Sequence, residues 1–94
     1  MYYEIVFTKQ ADKDIDSIKE YIYNDNKIIA LNVIQEILDS ISLLKNMPSL
    51  GRAGRVLRTR ELVISKYPYI VPYQVRENII YILRVLHSSR KWQT

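Results

Sequence analysis

The 94-residue chain has no cysteine, two glycines, three prolines and one residue each of histidine, tryptophan and phenylalanine. Without cysteine there are no disulfides, thiolate nucleophiles or thiolate-ligated zinc. One histidine with few acids nearby does not assemble a usual zinc site, so any catalysis is expected to be metal-free and no cofactor is expected. Scarce glycine and proline, beside an apolar fraction of 48%, leave little of the chain with a disordered composition. Gly51-Arg52-Ala53-Gly54 is too short for a phosphate-cradling or dinucleotide-binding loop. No apolar run approaches the roughly 18 residues of a membrane span; the longest, Ile79 to Val85, is interrupted by Arg84 and is of strand length. Met1-Tyr2-Tyr3-Glu4 lacks the basic start and long apolar stretch of a secretory signal. The absences predict a soluble, cytoplasmic protein with one domain over residues 1–94.

What the chain does hold is charge, unevenly placed. Residues 1–44 carry four lysines against eight acids, a balance of −4, and residues 45–94 carry ten basic residues against Glu61 and Glu77, a balance of +8. The net +4 hides this split. A basic half of this kind is the electrostatic footprint of a polyanion binder, or else a surface that only keeps the protein in solution.

Periodicity divides the chain in the same way. Tyr3–Phe7 is a β-branched and aromatic run that reads as a strand, and Thr8 stands where a helix N-cap belongs. Ala11, Ile15, Ile18 and Ile22 place one apolar stripe on a helix, with Asp12, Asp14, Asp16, Lys19 and Glu20 turned mostly to solvent. Asn24-Asp25-Asn26 is a polar turn. A second helix is predicted from about Ile28 to Lys45, with Ala30, Ile34, Ile37/Leu38, Ile41 and Leu44 as its stripe. The short connection pairs the two helices antiparallel.

Beyond Lys45 the period falls to two. Asn46–Gly54 reads as a loop, Val56–Leu57 as a brief strand, and Glu61–Ser65 and Tyr69–Val75 as fuller ones. Pro72 requires either a bulge or an amide that faces no partner. Arg76-Glu77-Asn78 is a hairpin connection, with Asn78 suited to a positive φ. Ile79–His87, apolar on both faces, is predicted as a long central strand. The fold class is therefore α+β, with a helical hairpin on one face of a curved antiparallel sheet.

Among the candidate residues, His87 ends the most apolar strand, where it is either a general acid–base or a hydrogen-bonding strand terminus. Arginine dominates the basic half at Arg52, Arg55, Arg58, Arg60, Arg76, Arg84 and Arg90. Its planar fork suits phosphate better than lysine does. Arg58 and Arg60 share a face if they share a strand. Arg84 interrupts an apolar run, so it reaches either a phosphate or a buried carboxylate such as Glu61. Tyr2, Tyr3, Tyr67, Tyr69, Tyr73 and Tyr81 cluster near the sheet, either stacking bases or packing across strands. Trp92 lies in the short polar tail Ser88–Thr94 as a lid or a contact residue.

These phrases resemble a known family. Thr59-Arg60-Glu61-Leu62-Val63-Ile64, Tyr67-Pro68-Tyr69-Ile70-Val71-Pro72-Tyr73-Gln74-Val75 and Ile82-Leu83-Arg84-Val85-Leu86-His87-Ser88-Ser89-Arg90-Lys91-Trp92 follow in the order and spacing of the RelE/ParE superfamily, the toxins of bacterial type II toxin–antitoxin modules. The resemblance covers nearly the whole chain. It implies a β-α-α-β-β-β fold and a cognate antitoxin, acidic or partly disordered, that wraps and neutralises the toxin. It also implies one of two activities. RelE-like members cleave mRNA in the ribosomal A site, the 2′-hydroxyl attacking the adjacent phosphate; ParE-like members inhibit DNA gyrase and need no catalytic residues. The expected activity is the first, as a metal-independent endoribonuclease, with gyrase inhibition as the alternative. Carried onto this chain, the resemblance implies RNase-like positions at Arg60, Tyr73, Arg84, His87, Arg90 and Lys91, with His87, Arg84, Arg90, Lys91 and Tyr73 as the candidate catalytic residues; Arg52, Arg55, Arg58, Arg60 and Lys66 of the basic half are the candidate RNA contacts. Where several ribosome-dependent members carry an arginine, this chain has Tyr69 or its neighbours.

Overall fold

The computed structural model describes residues 3–89. Its elements run β1 (Glu4–Phe7), α1 (Lys9–Asp25), α2 (Lys27–Ser42), a 3₁₀ turn at Leu43–Lys45, β2 (Arg52–Ala53), β3 (Arg60–Ile64), β4 (Tyr69–Arg76), β5 (Ile79–Ile82) and β6 (Leu86–His87). Thr8 caps α1 as its sequence position predicts: Ala11 N–H donates to its Oγ1 at 3.2 Å. The same hydroxyl lies 2.9 Å from the Ile82 carbonyl, so the helix start is tied to the end of β5. Asn26 serves both helices. Its N–H closes α1 on Ile22 O at 2.8 Å, and its Oδ1 accepts Ile29 N–H at 3.0 Å to open α2. One extended residue thus joins the hairpin rigidly.

The strands are ordered β1-β5-β4-β3-β2, with β6 also on β4. All pairings are antiparallel except one. β1 runs parallel to β5, from Glu4 opposite Ile79 to Phe7 opposite Ile82. The helical hairpin and the intervening strands supply the crossover that a parallel pair requires, so the sheet is mixed rather than purely antiparallel. Its helix-facing side presents Ile5, Phe7, Leu62, Ile64, Tyr69, Val71, Tyr73, Ile80 and Ile82 to Ala11, Val33, Ile37, Ile41 and Leu44. That alternation is the period-two pattern meeting the helical stripes, and it forms the core. No helix in the described residues is long and apolar enough to cross a membrane.

Three local expectations are corrected. Val56–Leu57 forms no strand; the short β2 lies instead at Arg52–Ala53, where it pairs with Arg60 and Glu61. Arg58 therefore sits in a turn, at φ 67°, and shares no strand face with Arg60. In the β4–β5 hairpin the positive φ falls on Glu77, at 56°, and not on Asn78. A side chain there costs roughly 1 kcal/mol, partly offset by the greater unfolded-state freedom of glycine. Glu77→Gly is expected to raise stability by about 0.5 kcal/mol, and a lower urea midpoint for the variant would count against that strain.

The third correction concerns the last strand. Ile79–His87 is broken, not continuous. Tyr73 faces Ile82 and Ile70 faces Leu86, so Leu83, Arg84 and Val85 stand opposite only Val71 and Pro72. This is a β-bulge. The carbonyl of Pro72 accepts Leu83 N–H at 2.9 Å and is approached by Arg84 N–H at 3.4 Å. A strand residue points its nitrogen and its carbonyl to the same side, so the missing Pro72 donor also faces the bulge. The proline stays in register with Glu61 in β3, and the irregularity falls on its neighbour.

Candidate functional site

The bulge gives Arg84 its place. Its Nε donates to Asp14 Oδ2 at 2.7 Å and its Nη2 to Asp14 Oδ1 at 3.0 Å, while Val85 N–H donates to Oδ2 at 2.9 Å. One carboxylate on α1 thus satisfies both a guanidinium fork and a backbone amide that the bulge takes out of the ladder. The hydrogen bonds to Asp14 raise the Arg84 pKa further above its ordinary value. Sequence reading turned Asp14 to solvent and offered Glu61 as the carboxylate. The signal for Asp14 was present in the spacing: it stands three residues after Ala11 and four before Ile18, inside the apolar stripe.

Glu61 is satisfied elsewhere. It is 1% exposed, receives Arg52 Nη2 at 3.1 Å and accepts Arg55 N–H at 3.3 Å. Tyr73 is equally enclosed. Its hydroxyl donates to Pro48 O at 2.7 Å and accepts Gly51 N–H at 2.8 Å. Burial raises its pKa; the Gly51 bond and the positive field of Arg60 oppose that rise. The phenol therefore remains protonated and is occupied as a tether of the Pro48–Gly51 loop. Arg60 reaches the same loop, donating to Gly51 O at 2.7 Å and Ser49 O at 3.3 Å.

His87 is at the opposite end of the sheet. It pairs with Tyr69, four residues from Tyr73 along β4, a separation of about 13 Å. Its exposed ring meets the Tyr69 ring edge-on, with centroids 5.6 Å apart. Burial, and secondarily the charge of Tyr21, raise the Tyr69 pKa, so this partner is a neutral phenol. Ser89 N–H points at His87 Nδ1 from 3.2 Å, with Ser89 Oγ at 2.8 Å. A backbone amide only donates, so Nδ1 is an acceptor here and the neutral ring carries its proton on Nε2. The imidazole lines a hollow of about 430 Å³ with Asp14, Ser17, Ile18, Tyr21, Tyr69 and Val85. Asp14, the carboxylate in that hollow, is already engaged by Arg84.

The site residues expected from the sequence are thus not gathered at one point. Tyr73 and Arg60 belong to one end, Arg84 and His87 to the other, and Arg90 and Lys91 lie outside the described residues, as does Trp92. Arg52, Arg55 and Arg58 are exposed on the segment around β2. A hollow of about 290 Å³ beside them is lined by Ala53, Arg58, Thr59, Arg60 and Val75. Lys66 is exposed at the far end of β3, its Nζ 6.0 Å from the Tyr67 ring.

Comparison with known proteins agrees with this architecture. The chain is 36% identical over 88 residues to the putative toxin Y4kP of Sinorhizobium fredii, covering 94% of this chain and 91% of that one. It is 28% identical over 87 residues to toxin RelE2 of Caulobacter vibrioides, covering 93% and 97%. A chain of the chromosomal ParDE toxin–antitoxin system from P. aeruginosa superposes with a TM-score of 0.85 at 25% identity, over 92% of this chain and 96% of that one. A chain of the RelBE2 toxin–antitoxin complex from Mycobacterium tuberculosis shares the fold with a TM-score of 0.64 at 21% identity, over 93% and 99%. The family model described as the ParE toxin of the type II toxin–antitoxin system, parDE, matches residues 5–92. The chain with the Asp14-clasped bulge and the tethered Tyr73 belongs to the ParE toxin family of type II toxin–antitoxin systems.

Proposed function

We propose that this toxin acts in the cytoplasm by binding its target, DNA gyrase, rather than by cleaving RNA, and that a cognate antitoxin neutralises it. The observation that carries this reading is the engagement of Arg84 by Asp14. The arginine that would hold a scissile phosphate has its fork filled from within the fold. Two further features support the same reading. The Tyr73 hydroxyl has both of its hydrogen-bonding roles occupied inside the protein. His87 has Nδ1 turned to the chain and a proton on Nε2, which suits a donor better than a general base. The two structural comparisons lean the same way, since the ParDE chain superposes more closely than the RelBE2 chain.

The competing reading, a ribosome-dependent nuclease, draws on the +8 balance of residues 45–94 and on exposed Arg52, Arg55 and Arg58. Pulse expression separates the two. Gyrase inhibition predicts filamentation, a DNA-damage response and intact mRNA, with loss of supercoiling when purified toxin is mixed with gyrase. His87→Ala is then expected to arrest growth as strongly as the unchanged protein. New mRNA 5′ ends inside translated codons, abolished by His87→Ala, would overturn the proposal.

A further inference from the structure

The tip of the helical hairpin is apolar where nothing in the fold covers it. Ile28 is 70% exposed, Leu31 52% and Tyr23 45%. Ile28 and Leu31 stand three apart on one face of α2, and Leu31 shares a hollow of about 620 Å³ with Tyr23, Asp16, Lys19, Glu20 and Asn24 of α1. The tip is rigid, because Asn26 caps both helices, and Lys27 Nζ sits 5.8 Å from the Tyr23 ring centroid. Preorganised aromatic and aliphatic anchors with a charged rim are what a protein-binding hot spot requires. Core packing does not explain these side chains, since the helices face the sheet through Ala11, Val33, Ile37 and Ile41.

Charge selects the occupant. The two helices carry seven carboxylates against four lysines, and around the tip Asp16, Glu20 and Asp25 outnumber Lys19 and Lys27. This acidic excess over the helices disfavours a nucleic acid and a second copy docking through the same face. A protein surface with an apolar pocket bordered by lysine and arginine is complementary. We propose that the hairpin tip is the surface by which the toxin seizes its protein target, and that this target presents such a basic-rimmed pocket. The inference rests on the reading that the toxin acts by binding.

The experiment compares the unchanged toxin with Ile28→Glu/Leu31→Glu and, separately, with Glu20→Lys/Asp25→Lys. All four positions are exposed, so the fold is expected to survive. Circular dichroism and thermal melting serve as the control for folding, and affinity for the cognate antitoxin is read separately. The readouts are inhibition of purified gyrase and growth arrest. The expected result is at least a tenfold higher inhibitory concentration for both variants with antitoxin binding unchanged. If the unchanged toxin inhibits gyrase and the variants do so equally, the tip proposal is wrong while the gyrase reading stands. If gyrase is untouched by the unchanged toxin, the gyrase reading fails. Growth arrest then decides the tip: variants that still arrest growth overturn it, and variants that no longer do so, with antitoxin binding intact, place a different protein target there. Loss of antitoxin binding by the folded variants would assign the tip to the antitoxin and overturn the proposal.

Discussion

Asp14→Ala is expected to lower the folding stability by about 3 kcal/mol, which for a chain of this size is a fall in Tm of roughly 12 °C or more. The carboxylate is 13% exposed and its guanidinium partner 24%, so water screens the pair only partly. Removing Asp14 strands a cation in a half-buried position and leaves Val85 N–H without its acceptor. The second of these losses sets the substitution apart from an ordinary surface ion pair, whose removal costs about 0–1 kcal/mol. Asp14→Asn keeps an acceptor for Val85 N–H but gives up the charge, and is expected to lose about half as much. Chemical denaturation measures both. The double change Asp14→Ala/Arg84→Ala is expected to be less destabilising than the sum of the two single changes, because the cation goes with its partner. A loss below 1 kcal/mol for Asp14→Ala would mean that desolvation already cancels the clasp, as it can for buried pairs. The functional corollary is direct: if Asp14→Ala frees Arg84 and mRNA cleavage appears, the pairing had been suppressing a nuclease.

Gly51→Ala is expected to cost about 2–4 kcal/mol. A methyl group at that position would meet Tyr73 Cε1 at 2.6 Å, its hydroxyl at 2.8 Å and the Glu61 backbone at 3.0 Å. None of these can give way easily. The ring of Tyr73 is fully buried and its hydroxyl is fixed between Pro48 and Gly51, while Glu61 is fastened by Arg52 and Arg55. To admit the methyl, the loop from Pro48 to Arg52 must lift, and the Gly51 N–H bond to Tyr73 and the pairing of Arg52 with Glu61 go with it. Urea unfolding of Gly51→Ala beside Tyr73→Phe tests this. The phenylalanine variant loses two hydrogen bonds but no volume conflict, and is expected to cost only about 1–2 kcal/mol. Equal losses for the two variants would show that the hydroxyl's bonds, not the close approach of the backbone, hold this corner.

Much of the architecture was legible because it rests on local chemistry. The stripe Ala11–Ile15–Ile18–Ile22, the Thr8 cap, the polar turn at Asn24–Asn26 and the change of period after Lys45 all follow from spacing and side-chain type. Register was not legible. Ile79–His87 reads as one strand because every residue but Arg84 suits one; only the pairing with β4 reveals that three residues stand where two fit. The partners of Glu61 and Arg84 depend on the same register. Once β2 forms at Arg52, Glu61 is met across the strand, and Arg84, displaced by the bulge, turns to α1. The candidate catalytic set was drawn from types of residue along the sequence, and the sheet distributes those residues to its two ends. Hydrogen-bond saturation, as at Tyr73, leaves no mark in a sequence at all.

The extra residue in the last strand has an evolutionary consequence. Side chains alternate along a strand, so a shift of one position exchanges its faces. With the bulge, His87 lies beside Tyr69 on the helix-facing side and Leu86 on the other. If the same residues ran through without bulging, Leu86 would fall opposite Tyr69 and the imidazole would turn to the surface away from the helices; loss of a single codon among Leu83–Val85 would instead restore an unbroken ladder with His87 still opposite Tyr69. A scaffold built this way can lose one residue between Ile82 and Leu86 and still deliver His87 to Tyr69, whereas the same loss in any unbulged strand would turn every later side chain to the other face.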